Sequence, residues 1–140
     1  MKPTLALFLA ALSWLVLAAP AHAGPVGDIK TTLATTRQQT MAMLSEDDHA
    51  VLEMRYEDAL KSSKALDALL AAALKNDALR AAGPTLSQFK TVWETFKKTR
   101  DTDIVPALMA GSNLKARALA MTIQAPRFKK MNELLDSLPQ

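Results

Sequence analysis

The apolar residues of the central segment, residues 51–79, recur in alternating steps of four and three. Such spacing places them on one stripe of an α-helix, and a stripe of this period packs against neighbouring helices at a small crossing angle. The chain contains no run that alternates Val, Ile or Thr with polar residues, and glycine is scarce. The sequence therefore predicts an all-helical domain. The residues of this stripe are Leu52, Tyr56, Ala59, Ser63, Leu66, Leu70 and Ala73.

Three other segments carry stripes with similar spacing. Upstream, the stripe consists of Ile29, Leu33, Met41 and Leu44, with Asp28 as a cap. The third consists of Leu86, Phe89, Trp93, Phe96, Arg100, Ile104 and Leu108. The last consists of Leu114, Ala118, Met121, Ala125, Phe128, Met131, Leu135 and Leu138. Pro106 and Pro126 lie inside the third and last stripes, so each of these helices is expected to bend and continue.

Short breaks separate the four predicted helices. Ser45 is expected to cap the second helix, and Gly83 to take a left-handed cap before Pro84 opens the third. Gly111 to Asn113 form the next break, with Ser112 or Asn113 as the expected cap of the last helix. Connections this short make each helix run antiparallel to the one before it. The expected fold is therefore all-α, an up-down-up-down antiparallel four-helix bundle.

The N-terminal segment has the features of a secretory signal peptide. Lys2 is followed by an apolar run from residue 4 to residue 19 and by the small-x-small sequence Ala-His-Ala, residues 21–23. We expect cleavage before Gly24 and a periplasmic protein with one domain, residues 24–140; the alternative is that residues 1–23 remain as an anchor. The absence of cysteine from the chain excludes disulfides, thiolate metal sites and a lipoprotein anchor.

The residues that most catalytic and cofactor sites require are absent from the expected mature chain. His49 is the only histidine of the expected mature chain, and no Glu-x-x-His pair, nucleophile elbow or Gly-rich phosphate loop occurs. We therefore predict no enzymatic activity, no catalytic residue, no metal site and no cofactor. Cytochrome b562, a periplasmic four-helix bundle, ligates haem through a Met near the start of its first helix and a His near the end of its fourth. This chain has no His in the last predicted helix, and its first mature Met is Met41.

Charge also excludes a class of partner. The net charge of +3 includes Lys2, and the charges of the mature chain are nearly balanced and interspersed. A nucleic-acid-binding protein would carry a basic face with interleaved aromatic residues. We therefore predict no nucleic-acid partner.

A set of residues from Phe89 to Ala120 resembles the periplasmic four-helix-bundle sensor domain of methyl-accepting chemotaxis receptors. The aromatic seam of that domain's third helix corresponds to Phe89, Trp93 and Phe96. Its Ile-x-x-Leu step corresponds to Ile104 with Leu108, which are one residue further apart in this chain. Its turn glycine corresponds to Gly111, and the Ala-rich opening of its fourth helix to Ala116, Ala118 and Ala120. The likeness extends upstream over residues 37–70.

The resemblance implies a module for signal transduction that binds a small ligand and forms a homodimer. Receptors of this family continue into a second transmembrane helix and a cytoplasmic coiled coil, whereas this sequence stops at Asp-Ser-Leu-Pro-Gln. We therefore expect a free-standing secreted version of the sensor domain. It would communicate to a partner, a membrane receptor, that its ligand is bound.

Two functions are consistent with these features. In the first, a small anionic ligand binds to arginines, because guanidinium groups match carboxylates. The candidate residues are Arg37, Arg55 and Arg117 near one end of the bundle, and Arg100 further along. The alternative is that these arginines lie on the surface or form internal ion pairs, for example Arg100 with Asp103.

In the second, the chain is a chaperone-like or structural interaction protein. Met41, Met43 and Met54 lie close to the first predicted turn, and flexible thioethers suit adaptable apolar surfaces. The alternative is that these side chains fill the core. Capture of copper(I) by the same methionines is a third hypothesis.

Overall fold

The computed structural model describes residues 24–139. Most of this range belongs to four long helices: α1 (Pro25–Met43), α2 (His49–Lys75), α3 (residues 83–109) and α4 (residues 113–136). A 3-10 helix, Asp77–Ala82, joins α2 to α3. Residues 24–139 contain no strand, so the prediction of an all-helical domain with four helices is confirmed. The predicted signal peptide lies outside the described residues.

The start of α2 lies later than the sequence suggested. Asp48 caps the helix, and its Oδ1 accepts hydrogen bonds from the backbone N–H groups of Ala50 and Val51 at 2.8 and 3.1 Å. Ser45 still belongs to the turn that ends α1, since its N–H donates to the carbonyl of Ala42. The prediction that Ser45 caps α2 is therefore wrong.

The junction between α2 and α3 also differs from expectation. Asn76 adopts an extended conformation that ends α2, and its Oδ1 accepts from the N–H of Ala78 to open the 3-10 helix. Gly83 has right-handed helical angles, with φ at −49°, and begins α3 together with Pro84. The left-handed glycine of the described residues is Gly111, with φ at 73°, between α3 and α4. The prediction for Gly83 is thus wrong, and that for Pro84 is confirmed.

A π turn lies inside α3, between its α-helical parts Gly83–Thr99 and Val105–Met109. Within the turn, the N–H of Val105 donates to the carbonyl of Arg100, five residues back. A proline ring in a regular helix clashes with the carbonyl four residues before it, and the extra residue of a π turn gives the ring of Pro106 more room. The helix continues past the proline, as predicted.

A second π turn lies in α4, between its α-helical parts Asn113–Leu119 and Ala125–Asp136. There the N–H of Ala125 donates to the carbonyl of Ala120, and Pro126 follows directly. In both helices the π turn ends just before the residue that precedes the proline. The two π turns therefore lie directly before the prolines at which bends were predicted.

The π turn changes which residues of α4 face the core. In the first half of the helix, Leu114 is 84% exposed and Met121 60% exposed, whereas Ala116, Ala120 and Gln124 are buried. The predicted stripe is wrong in this half because one extra residue rotates the preceding segment by about 100° relative to a regular helix. The stripe is confirmed in the second half by the buried side chains Met131, Leu135 and Leu138.

The apolar core consists of two separate clusters, here called the aromatic cluster and the alanine-rich cluster. The aromatic cluster contains Val26, Ile29, Leu33, Leu66, Leu70, Ala73, Ala82, Leu86, Phe89, Trp93, Phe96, Met131, Leu134, Leu135 and Leu138. The alanine-rich cluster contains Met43, Leu44, Leu52, Ala59, Ile104, Val105, Ala107, Leu108, Ala116 and Ala120. The helices pack mainly in pairs, with α1 against α2 and α3 against α4.

Candidate functional site

A layer of buried polar side chains lies between the two apolar clusters. In α2, for example, Ser63 stands between Ala59 of the alanine-rich cluster and Leu66 of the aromatic cluster. Every long helix contributes to the layer, and both π turns touch it. Because π turns recur at functional sites, this polar layer is a candidate site. Its members are Thr36, Thr40, Ser63, Thr99, Arg100 and Gln124.

Arg100 is the only charged member of the layer among the described residues, and it is fully buried. Its Nε and Nη2 donate to the two carboxylate oxygens of Asp101 at 2.7 and 3.3 Å. Its Nη1 donates to the hydroxyl of Ser63 on α2 at 2.7 Å. Arg100 therefore pairs with Asp101, within the π turn, and not with Asp103, the partner that the sequence analysis gave as an example. A ligand would have to displace Asp101 to reach this group.

Tyr56 completes the network from α2. Its environment raises the pKa of the phenol above 10.0, chiefly because burial disfavours the charged phenolate, and then because the Asp101 carboxylate repels that charge and hydrogen-bonds with the phenol. The Arg100 guanidinium acts in the opposite direction. Tyr56 therefore lies beside the network of Asp101, Arg100 and Ser63 that joins α2 to α3.

A second buried network joins α3 to α4, and the sequence did not predict it. The Nε2 of Gln124 donates to the carbonyl of Phe96 at 2.8 Å. Arg127 donates from one nitrogen to the hydroxyl of Thr99 at 2.6 Å and to the Oε1 of Gln124 at 3.1 Å. Gln124 lies off the regular stripe of α4, so only knowledge of the π turn could have indicated that it faces inward.

Arg37 lies at the seam between α1 and α4. Its guanidinium carbon stands 4.1 Å from the centroid of the Phe128 ring, a cation–π distance. The ion pairs of the described residues do not include Arg37. It borders a cleft of about 10 Å³, room for roughly one water molecule. The other residues of this cleft are Thr40, Met41, Phe96, Ala120, Gln124 and Ala125.

Arg55 and Arg117 both contact the loop between α1 and α2. Arg55 donates to the carboxylate of Glu46 at 3.2 Å, and Arg117 donates to the carbonyl of Leu44 at 3.1 Å. The pKa of Glu46 is lowered, first by the backbone N–H of Asp48 and then by Arg55. These two arginines hold the loop against α2 and α4, whereas Arg100 and Arg37 have different partners. The four predicted arginines therefore occupy three separate places and share no hydrogen-bond partner among the described residues.

A groove of about 280 Å³ runs between α2 and α3. Asp67, at its border, accepts from the indole Nε1 of Trp93 at 2.7 Å and from Lys97 at 2.8 Å, and Lys97 also pairs with Glu94. These groups satisfy one another, so Lys90 is the one lining charge without an ion pair among the described residues, and no free charges converge on the apolar floor of the groove. Its remaining residues are Leu70, Ala71, Leu74 and Lys90.

Two further classes of site were sought in residues 24–139. No group of three or more His, Cys, Asp and Glu side chains in this range is placed to hold a metal ion. Among the helices of the same range, none is long and apolar enough to span a membrane. Of the methionines singled out from the sequence, Met43 is buried in the alanine-rich cluster, whereas Met41 and Met54 are exposed.

The chain was compared with protein-family models, with curated proteins and with solved structures. None of the three comparisons found a match. A proposal of function therefore depends on the residues and their geometry.

Proposed function

We propose that this chain is a non-enzymatic binding module of the periplasm, similar to the sensor domain of chemotaxis receptors. In this proposal it captures a small anionic ligand and passes on occupancy to a membrane receptor, or docks on that receptor directly. The signal-peptide pattern of residues 1–23 supports the location. Arg37 supports the binding role.

The proposed arrangement of the helices is the up-down-up-down antiparallel bundle. Support comes from polar contacts between consecutive helices and between the first and the last. A contact between the start of α1 and the end of α4 is expected only if those two helices run in opposite directions. The pairs are Gln39 with Ser62, Asp67 with Lys97, Thr99 with Arg127, and Lys30 with Asp136.

The single observation that carries the binding role is the state of Arg37. Its guanidinium is half-buried at a helix seam and stacked on Phe128, with no carboxylate partner in residues 24–139. Stacking orients the group and leaves its N–H donors for an oxyanion. Gln124 borders the same cleft, and its amide has a second N–H besides the one donated to Phe96, which suits a small carboxylate. Thr40 also borders the cleft, but its hydroxyl already donates to the carbonyl of Thr36.

The size of the cleft couples binding to a change in the helices. A volume of about 10 Å³ takes a carboxylic acid only if the lining residues move, and in this proposal α1 and α4 move apart. A ligand that binds the parted state shifts the population toward it. Occupancy would then change the surface formed by α1 and α4, which a receptor or a second copy of the chain can sense.

A thermal-shift screen of organic acids and amino acids tests the role of Arg37. An acid that binds is expected to raise the melting temperature, because a ligand at a hundred times its dissociation constant adds about 2.7 kcal/mol to the free energy of unfolding. Arg37→Ala should abolish the shift, and Arg37→Lys should weaken it, since lysine lacks the planar pair of donors.

Arg80→Ala is the matched control, because Arg80 is an exposed arginine paired with Asp77 outside the cleft. It should retain the full shift. The proposal is contradicted if no acid gives a shift, or if Arg37→Ala responds as the wild type does.

The second candidate function is a chaperone-like interaction protein. The observation that supports it is the exposure of six large apolar side chains among the described residues: Met41, Met54, Leu74, Leu114, Met121 and Ile123. Light scattering of a denatured client protein separates this function from ligand binding. Suppression of aggregation at equimolar ratio, lost in a Met54→Ser, Met121→Ser variant, would favour it, whereas no suppression would exclude it.

A further inference from the structure

The outward side of α4 differs in charge from the rest of the chain. Between residues 104 and 132 the sequence contains no Asp or Glu, and its five basic residues are Lys115, Arg117, Arg127, Lys129 and Lys130. Arg117 donates to Leu44 in the loop between α1 and α2, and Arg127 donates to Thr99 of α3. The three lysines are exposed, so this helix presents positive charge to solvent until Glu133.

Exposed apolar side chains stand among these lysines. Leu114 and Met121 are 84% and 60% exposed, more than any other large apolar residue of residues 24–139. They are exposed because the π turn rotates the first half of α4 and places Ala116 and Ala120 in the core instead. We call the exposed set the basic face of α4: Leu114, Lys115, Ala118, Met121, Lys129 and Lys130.

We propose that the basic face of α4 docks on an anionic phospholipid surface. In this contact Leu114 and Met121 enter the headgroup layer, and the lysines lie near the lipid phosphates. A helix with apolar side chains on the outside and lysines beside them has the composition of interfacial helices, which bind by apolar burial together with attraction to anionic lipids.

Charge complementarity and shape both favour lipid as the occupant. The lysines compete with few acidic groups on this face: Lys129 has a loose pair with Glu133 at 3.9 Å, and Asp47 borders the start of the face through Asn113. Leu114 and Met121 are highly exposed on the outer side of α4 and border neither of the two clefts described above, so a deformable layer can surround them. The many acidic residues of the α1–α2 loop and of the first half of α2 lie on other elements.

Vesicle co-sedimentation tests the proposal with protein that begins at Gly24, whose two core clusters lie entirely within residues 26–138. We expect binding to vesicles of phosphatidylcholine mixed with phosphatidylglycerol, no binding to phosphatidylcholine alone, and weaker binding as salt is raised. The variant Lys129→Gln, Lys130→Gln should lower the partition coefficient about thirtyfold, from about 1 kcal/mol for each lysine near the surface. Leu114→Ser, Met121→Ser should lower it as well.

The matched controls lie on α2. Lys64→Gln, Lys75→Gln removes two exposed lysines, and Leu74→Ser removes an exposed apolar side chain; both should bind as the wild type does. Circular dichroism and thermal unfolding establish that each variant is folded.

Three results would overturn the proposal: equal binding to both vesicle types, equal losses in the α2 controls, or unchanged binding in the α4 variants. Light scattering coupled to gel filtration then measures the oligomeric state. A dimer that Leu114→Ser, Met121→Ser dissociates, without lipid binding, would assign the face to a second copy of the chain. Arg37→Ala should retain vesicle binding, so failure of the ligand site leaves this inference intact.

Discussion

Arg100 places a full positive charge in the centre of the core, and a carboxylate next to it in the sequence neutralises that charge. The carboxylate that neutralises it belongs to the next residue, Asp101, which is itself partly exposed. A buried charge costs free energy unless it is paired and hydrogen-bonded. The network of Asp101, Ser63 and Tyr56 therefore sets the cost of keeping Arg100 between the two apolar clusters.

Asp101→Asn tests this compensation. We expect it to lower the free energy of unfolding by about 1–3 kcal/mol, because the guanidinium remains buried without its counter-charge. Urea unfolding, followed by the fluorescence of Trp93, measures the change. Asp103→Asn is the matched control, since Asp103 is an exposed residue of the same turn, and it should change the value by less than about 0.5 kcal/mol. Equal effects of the two variants would contradict the pairing.

Tyr56 offers a pH test, because it is the only tyrosine of the chain. Its folded pKa is raised above 10.0, mainly by burial and then by Asp101. The protonated phenol is therefore favoured by folding, and its contribution to stability is complete below the unfolded pKa and is lost as pH rises through the folded pKa.

Ultraviolet absorbance of the phenolate should give a native pKa above that measured in urea, where about 10 is expected. Asp101→Asn should bring the native value closer to the unfolded one. A native pKa equal to or below the unfolded value would rule out the network around Tyr56.

At the level of the helix, the π turn of α4 and Pro126 depend on each other. Deletion of Thr122, an exposed residue of the turn, should convert it into regular α-helix while both halves keep their buried faces. Pro126 would then meet the carbonyl four residues before it, at a cost of about 3 kcal/mol. We expect the deletion to destabilise the protein by about this amount, and the added change Pro126→Ala to restore most of the loss.

Urea unfolding of the two variants measures both effects, and Pro126→Ala alone is the control. If Pro126→Ala fails to rescue the deletion, the π turn does not exist to accommodate the proline.

The sequence was sufficient to predict the four helices. It was insufficient to predict where each helix begins and ends and which side of the first half of α4 faces the core. The stripes of α2 and α3 follow a simple period, so residues such as Leu66 and Trp93 could be assigned to the core correctly. The buried side of the first half of α4 could not be assigned, because two stripes fit the helical period. One stripe contains Leu114 and Met121 and the other Ala116 and Ala120, and only the π turn before Pro126 decides between them. In the candidate site, Arg100 was found through its spacing, whereas Gln124 and Arg127 were missed since they lie off the predicted stripe.

On the scale of the whole molecule, the two apolar clusters differ in the area they bury. The aromatic cluster contains Phe89, Trp93 and Phe96, and aromatic side chains each bury roughly 150–250 Å². The alanine-rich cluster has no buried aromatic residue, and several of its members are alanines. The polar layer separates the two, so loss of packing in one need not propagate directly into the other.

We therefore predict that the half of the molecule around the alanine-rich cluster opens before the rest. Native-state hydrogen exchange, read by mass spectrometry, should show faster exchange for the amides of residues 52–59 and 104–120 than for residues 66–73 and 86–96. This follows because local opening costs least where few apolar contacts are lost. Ala59→Leu tests whether the two clusters open separately, because overpacking a buried alanine should accelerate exchange mainly in the first set. Uniform exchange in all four segments would mean that the polar layer does not divide the core, and that the molecule opens as a single unit.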